Sequence, residues 1–225
     1  MEEDMRRGIN LSRSLSGVFA LMFLGLLASG FSAFFTLQSP FMANLVFGSQ
    51  YGFLGFAVAP ILLVLFVFPR VWNMSLAAGC LLFFFYALLN GVTLSVIFLV
   101  FDLGTITLAF LSAAGMFGVM ALYGTLTKAD LSGVGSLLIM GLFGVIIATV
   151  INFFLASDML EMLICYAGIA VFLGLTAYDV QRIKRMTQEQ PHLSSSGVMV
   201  LGALHMYLNF INIFLFILRL MARRR

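Results

Sequence analysis

Residues 133–155 read GVGSLLIMGLFGVIIATVINFFL, twenty-three positions without one charged side chain. A helix needs about 20 apolar residues to cross the hydrocarbon core of a bilayer, because each residue advances it by about 1.5 Å. A run this long therefore predicts a membrane-spanning helix rather than a buried helix of a soluble core. Outward from it, similar runs recur at about 15–37, 52–68, 74–100, 104–124, 159–178 and 197–218, which makes seven. The separators are short and hold turn and capping residues: Gln38-Ser39-Pro40, Pro69-Arg70, Asp102-Leu103-Gly104, Lys128-Ala129-Asp130 and Ser157-Asp158. A longer polar stretch, Gln181 to Ser196, divides the last two runs. Pro60 lies inside the second run and predicts a kink, since its ring removes a helix hydrogen bond.

The composition agrees. Of 225 residues, 62% are hydrophobic and 9% charged, against about 25% charged in an ordinary soluble domain. Such a chain cannot cover a water-facing surface, and its partner over most of that surface is the lipid bilayer. The expected fold is all-α: a polytopic membrane helix bundle of about seven transmembrane helices, a single transmembrane domain over 1–225. The net charge of +3 is small and scattered and points to no nucleic acid. Cys80 and Cys165 each lie in an apolar run and read as packing residues. With two histidines far apart, a zinc site has no ligand cluster, and no cofactor is suggested. The run from Val18 to Phe35 exceeds the core of a signal peptide and precedes further spans, so it reads as a retained helix.

Lys and Arg favour the cytoplasmic side of a membrane protein. Arg6, Arg7 and Arg13 precede the first run, Arg70 follows the second, Lys128 the fourth, and Arg182, Lys184 and Arg185 the sixth. The alternate connections carry no Lys or Arg, only Asp102, Asp158 and Glu161 as charges. The amino terminus is thus expected in the cytoplasm. The tail residues Arg219, Arg223, Arg224 and Arg225 fit either side, according to whether the last run crosses or re-enters.

Polar groups at bilayer depth are costly and need a reason. Asp179 ends the sixth run within Thr176-Ala-Tyr-Asp-Val-Gln-Arg-Ile-Lys184. One reading is an interfacial carboxylate paired with Arg182; the other is a carboxylate facing a polar cavity, where it titrates or touches a cation. Burial and a neighbouring cation such as Arg70 act on a carboxylate in opposite senses, so its charge is open to tuning. In the seventh run Gly202, His205, Asn209 and Asn212 recur every three or four residues and share one helical face. That stripe fits interhelical hydrogen bonding or the lining of an ion path. Asn90, Thr93 and Ser95 in the third run and Asn152 in the fifth read as structural hydrogen-bonding groups, and Gly141, Gly144, Ala170, Gly174 and Ala177 as helix-packing positions. An enzyme is not expected. Tyr178-Asp179 is one half of an intramembrane aspartyl protease motif, but no second acid lies at membrane depth to share its proton. Ser194-Ser195-Ser196-Gly197 lacks the context of a serine nucleophile.

Several longer stretches resemble the Bax inhibitor family, the transmembrane Bax-inhibitor-motif proteins, in its bacterial branch. They are Asn90-Gly-Val-Thr-Leu-Ser-Val-Ile-Phe98, Ala114-Gly-Met-Phe-Gly118, Thr127-Lys-Ala-Asp-Leu-Ser-Gly133, Gly174-Leu-Thr-Ala-Tyr-Asp-Val-Gln-Arg-Ile-Lys184 and Leu204-His-Met-Tyr-Leu-Asn-Phe-Ile-Asn-Ile-Phe214, in the family's order along nearly the whole chain. The resemblance implies a bundle with the C-terminal helix central, in a bacterial inner membrane. It implies a pH-sensitive calcium leak channel gated by two aspartates near an arginine, with Ca²⁺ or other cations as the passing species. The first aspartate falls on Asp179 and the arginine on Arg70, while the second falls on Asn209, where this chain departs from the pattern. On this reading Asp179, Asn209, Arg70 and His205 form the ion pathway and pH gate, and Asp179 is the Ca²⁺ contact. One charge instead of two implies altered titration and weaker calcium preference, since Ca²⁺ affinity depends partly on ligand charge. Some bacterial relatives instead modulate a membrane-anchored ATP-dependent protease, which implies a non-conducting regulator presenting the segment Met1 to Ser16 to its partner. Geometry raises a further question. Asp179 ends its run while Asn209 lies past the middle of the next, so they meet only if the sixth helix extends inward or the seventh starts late.

Overall fold

The computed structural model describes the backbone of residues 2–189 and 195–222, and the side chains of 14–49, 51–188 and 196–222. Most of the Met1 to Ser16 segment, Ser194 and the tail arginines Arg223, Arg224 and Arg225 thus lie outside the described side chains. Among the described residues the elements are helical and there is no strand. They are α1 (Glu2–Gln38), α2 (Pro40–Phe47), α3 (Gln50–Leu62), α4 (Leu76–Leu94), α5 (Ile97–Val100), α6 (Leu103–Leu126), α7 (Ser132–Leu155), α8 (Asp158–Glu189) and α9 (Ser195–Ala222). Seven stretches are long and apolar enough to cross a membrane: Ser14–Gln38, Tyr51–Asn73, Leu76–Val100, Leu103–Leu126, Ser132–Leu155, Asp158–Gln188 and Ser196–Ala222. The protein is an all-α integral membrane protein.

Local chemistry sets the boundaries. Ser39 caps α2 with its hydroxyl, and Pro40 occupies the first turn, where its missing N–H costs nothing. Ser75 caps α4 in the same way. Asp102 caps α6, accepting from the Thr105 N–H at 2.9 Å and the Thr105 hydroxyl at 2.7 Å. At the end of α7, Ala156 takes a left-handed conformation at φ 47°, and Asn152 Oδ1 accepts from the Ser157 N–H at 3.1 Å. The irregularity expected at Pro60 takes a particular form. Regular α-helix ends at Leu62, a π-turn follows over Leu63–Val67, and a 3₁₀ segment covers Phe68–Asn73. Pro60 and Pro69 both lack an N–H, so the hydrogen-bond spacing shifts between them.

The sequence placed the end of the sixth span at 178, but α8 continues to Glu189. The reason is an apolar stripe that the charges conceal: Val180 and Ile183 are buried while Arg182 faces outward. The polar divider is therefore helical for its first half.

The described residues of Met1–Val100 and Arg185–Tyr207 form one compact unit, and those of Phe101–Lys184 and Leu208–Arg225 another. In the first, α1 and α4 run in backbone contact: a Cβ on Gly91 would overlap the Ser29 carbonyl and lie 2.8 Å from the Ser29 Cα. In the second, Phe110, Phe117 and Phe210 make an aromatic seam, with Phe110–Phe210 centroids 5.1 Å apart. Among the membrane-crossing stretches that of the C-terminal helix α9 is the most buried, at 72%, against 11% for that of α7, which is mostly exposed.

Candidate functional site

Asp179 is only 7% exposed, in a turn of α8 packed closely against α6. A Cβ on Gly124 would stand 2.5 Å from the Ala177 carbonyl oxygen, so only glycine lets the two backbones approach this near. Asn209, 4% exposed on α9, donates its Nδ2–H to Asp179 Oδ2 at 2.8 Å. The question of level is resolved by helix length. α8 runs ten residues past Asp179, and Asn209 lies fourteen residues into α9, so comparable lengths of helix, about 15 and 21 Å, separate each from the connection. The end of the unit that carries Asp179 is also where α6 finishes and α7 begins. There Gln181 bonds Ala129 and Leu131, and Lys184 Nζ donates to the Thr125 carbonyl at 3.4 Å.

The structure thus joins Asp179 and Asn209 in one unit. Arg70 and His205 belong to the other. Arg70 is exposed and its guanidinium donates to the carbonyl of Phe66, one turn back, where the broken hydrogen-bond spacing of the second span leaves carbonyls to satisfy. His205 is half-buried on α9. Asn212 turns its amide to its own helix, donating to the Leu208 carbonyl at 2.8 Å. Among the described residues no three His, Cys, Asp or Glu side chains cluster as a metal site. The Asp179–Asn209 pair offers three side-chain oxygens, two carboxylate and one amide. A bound Ca²⁺, which takes six to eight, would draw about half or more of its shell from water or backbone.

A second buried polar cluster was not foreseen. In the first unit Asn90 Nδ2 donates to the Tyr207 hydroxyl at 2.8 Å, and that hydroxyl lies 2.7 Å from Ser29 Oγ. Ser29 Oγ also reaches the Ala87 carbonyl at 2.8 Å and the Gly25 carbonyl at 3.0 Å. The Asn90 amide nitrogen only donates, so the Tyr207 oxygen accepts there, while between the Tyr207 and Ser29 hydroxyls either oxygen can be the donor. The available signal was Gly25, Ser29, Ser32 and Thr36 on one face of the first span. The structural role expected of Asn90 and Asn152 holds in both places.

Comparison with known proteins agrees with this architecture. The family described as inhibitor of apoptosis-promoting Bax1 matches residues 11–225. The chain is 38% identical over 218 residues to the inner membrane protein YbhL of Escherichia coli strain K12, covering 96% of this chain and 93% of that one. It is 38% identical to an uncharacterized protein of Borreliella burgdorferi, over 95% of this chain and 93% of the relative. A further uncharacterized protein, from Rickettsia prowazekii, is 35% identical over 96% and 91%. Seven helices long and apolar enough to cross a membrane, the C-terminal one mostly buried, and a match over residues 11–225 make this chain a member of the Bax inhibitor family.

Proposed function

We propose that this protein is a pH-sensitive leak pathway for calcium or other cations, with Asp179 as its proton-sensitive gate. The observation that carries the reading is a carboxylate buried between helices whose neighbour is a side-chain amide, not an apolar wall. Ionised, Asp179 attracts a cation; protonated, it does not. Asn209 competes for the same oxygen and offers its own Oδ1 when its amide turns. The protein sits in a bacterial inner membrane with its amino terminus in the cytoplasm. The charge asymmetry of the connections and the name of the Escherichia coli relative support that placement.

The second reading is a non-conducting membrane regulator that binds a membrane-anchored ATP-dependent protease or another membrane partner through residues 1–16. Asn209 favours it: with no second carboxylate, the pair carries at most one charge for a cation. Calcium flux into proteoliposomes across the neutral pH range separates the two. A wild-type leak whose pH dependence flattens in Asp179→Asn supports the gate, and Asn209→Asp then moves its midpoint, because two close carboxylates share a proton. A silent wild type with a conducting Asn209→Asp variant favours the regulator. Deleting residues 2–12 then abolishes partner capture.

A further inference from the structure

Gln181 stands two residues beyond Asp179 and is buried. Its amide makes two hydrogen bonds to the connection between α6 and α7. Nε2 donates to the Ala129 carbonyl at 2.7 Å, and Oε1 accepts from the Leu131 N–H at 2.9 Å. A primary amide used this way replaces a peptide group, satisfying a donor and an acceptor that belong to neither helix ladder. The connection is exposed at Lys128, Ala129 and Asp130, where water would serve equally well as a partner. The choice of a buried side chain therefore calls for more than satisfaction of two backbone groups.

Its neighbours supply the context. Ala177 meets α6 at Gly124, with its Cα 2.9 Å from where a glycine Cβ would be. Tyr178 lies over Gly135 at the start of α7, its ring carbon Cζ 2.6 Å from such a Cβ. Asp179 meets Asn209 of α9. One turn of α8 is thus held, residue by residue, by α6, α7, α9 and the α6–α7 connection.

We propose that Gln181 is a positioning residue for Asp179, tying the turn that bears the carboxylate to the α6–α7 connection. The water-facing connection thereby sets where the carboxylate stands relative to the Asn209 amide. The inference rests on Asp179 being the gate, but its geometry can be read without any flux.

The test uses the full chain in lipid nanodiscs with nitrogen-15 asparagine, following the Asn209 side-chain amide resonance, identified by its loss in Asn209→Asp. Gln181→Ala removes both bonds, and Gln181→Glu keeps only the acceptor for Leu131. Leu131→Pro deletes the N–H from the other side without touching α8, at a backbone φ of −86° near proline's own. The expected result is a displaced Asn209 resonance and a several-fold lower calcium leak in Gln181→Ala. Leu131→Pro gives a smaller displacement in the same direction, which adds nothing in the Gln181→Ala background. An Asn209 resonance at its wild-type position in these variants, with only the melting temperature lowered, overturns the proposal. Should Gln181→Ala fail to fold, Gln181→Glu and Leu131→Pro decide by the same criterion. A wild type that leaks no calcium at any pH sinks the channel reading alone, since the resonance still reports on Gln181.

Discussion

Helix α9 contributes Tyr207 to one buried polar cluster and, two residues later, Asn209 to another, and the two are built on different chemistry. The Ser29–Tyr207–Asn90 cluster is neutral throughout and ends on backbone carbonyls. The rings of Phe83 and Tyr86 pack edge-on around Tyr207, with centroids 5.8 and 5.7 Å away. The Asp179–Asn209 cluster holds an ionisable group instead. Among the described residues, no buried side-chain nitrogen or oxygen lacks a partner in either place. Satisfaction of hydrogen bonds is therefore common to both and does not mark function. The difference lies in what a proton or a cation can change, which in the first cluster is nothing and in the second is a full charge.

The largest expected effects fall on the glycines that bring backbones together around each cluster. Gly91→Ala forces its methyl into the Ser29 backbone, which no side-chain rotation relieves. Overpacking of this kind costs about 3 kcal/mol or more where the obstacle is main chain. It separates α1 from α4 and breaks the Ser29–Ala87 bond. Gly124→Ala meets the Ala177 carbonyl in the same way, at somewhat greater distance, and is expected to cost about 2 kcal/mol. Unfolding of the purified variants measures both, and equal, negligible losses would show that the helices part freely at either cluster.

The seven crossings were legible because uncharged runs of bilayer length have few other readings, and caps such as Asp102 sat where the runs begin. The second span was only half legible. Pro60 announces a weakened helix, but which hydrogen-bond spacing replaces the regular one depends on Pro69 and on packing that no local pattern records. The extension of α8 was hidden by Arg182, Lys184 and Arg185, whose charges read as a loop although Val180 and Ile183 continue the buried stripe. Asp179 and Asn209 were paired through family resemblance, not through spacing. The Tyr207 cluster escaped notice for a related reason. Its partners Ser29 and Asn90 lie 178 and 117 residues away, and a tyrosine amid apolar neighbours looks like packing.

Tyr207→Phe is the next test in size. It deletes the hydroxyl at the centre of the neutral cluster while leaving the ring among Phe83 and Tyr86. Asn90 then loses its acceptor, and Ser29 keeps its carbonyl. Interhelical hydrogen bonds in membrane bundles average about 0.6 kcal/mol, and stranding the half-buried Asn90 donor adds to that, so a loss of about 1 kcal/mol is expected. The pH dependence of any calcium leak should keep its wild-type midpoint. A moved midpoint in Tyr207→Phe would erase the distinction between a structural and a responsive cluster.

Asp179→Asn should have the smallest effect on stability and the opposite functional consequence. The new amide keeps an oxygen where Oδ2 now accepts from Asn209, so the hydrogen bond survives in neutral form. A charge-assisted bond is roughly twice as strong as a neutral one. That loss is countered by the relief of no longer burying a charge at a helix interface. The two nearly cancel, and the unfolding free energy should stay within about 0.5 kcal/mol of wild type. Flux should nevertheless lose its response to pH, because no proton can now change the charge at this position. Paired with Tyr207→Phe, the variant gives a crossed result: one lowers stability and spares the response, the other spares stability and removes it. A large stability loss in Asp179→Asn with an unchanged pH response would mean that the carboxylate is a structural anchor, and that the charge of the second cluster serves the fold alone.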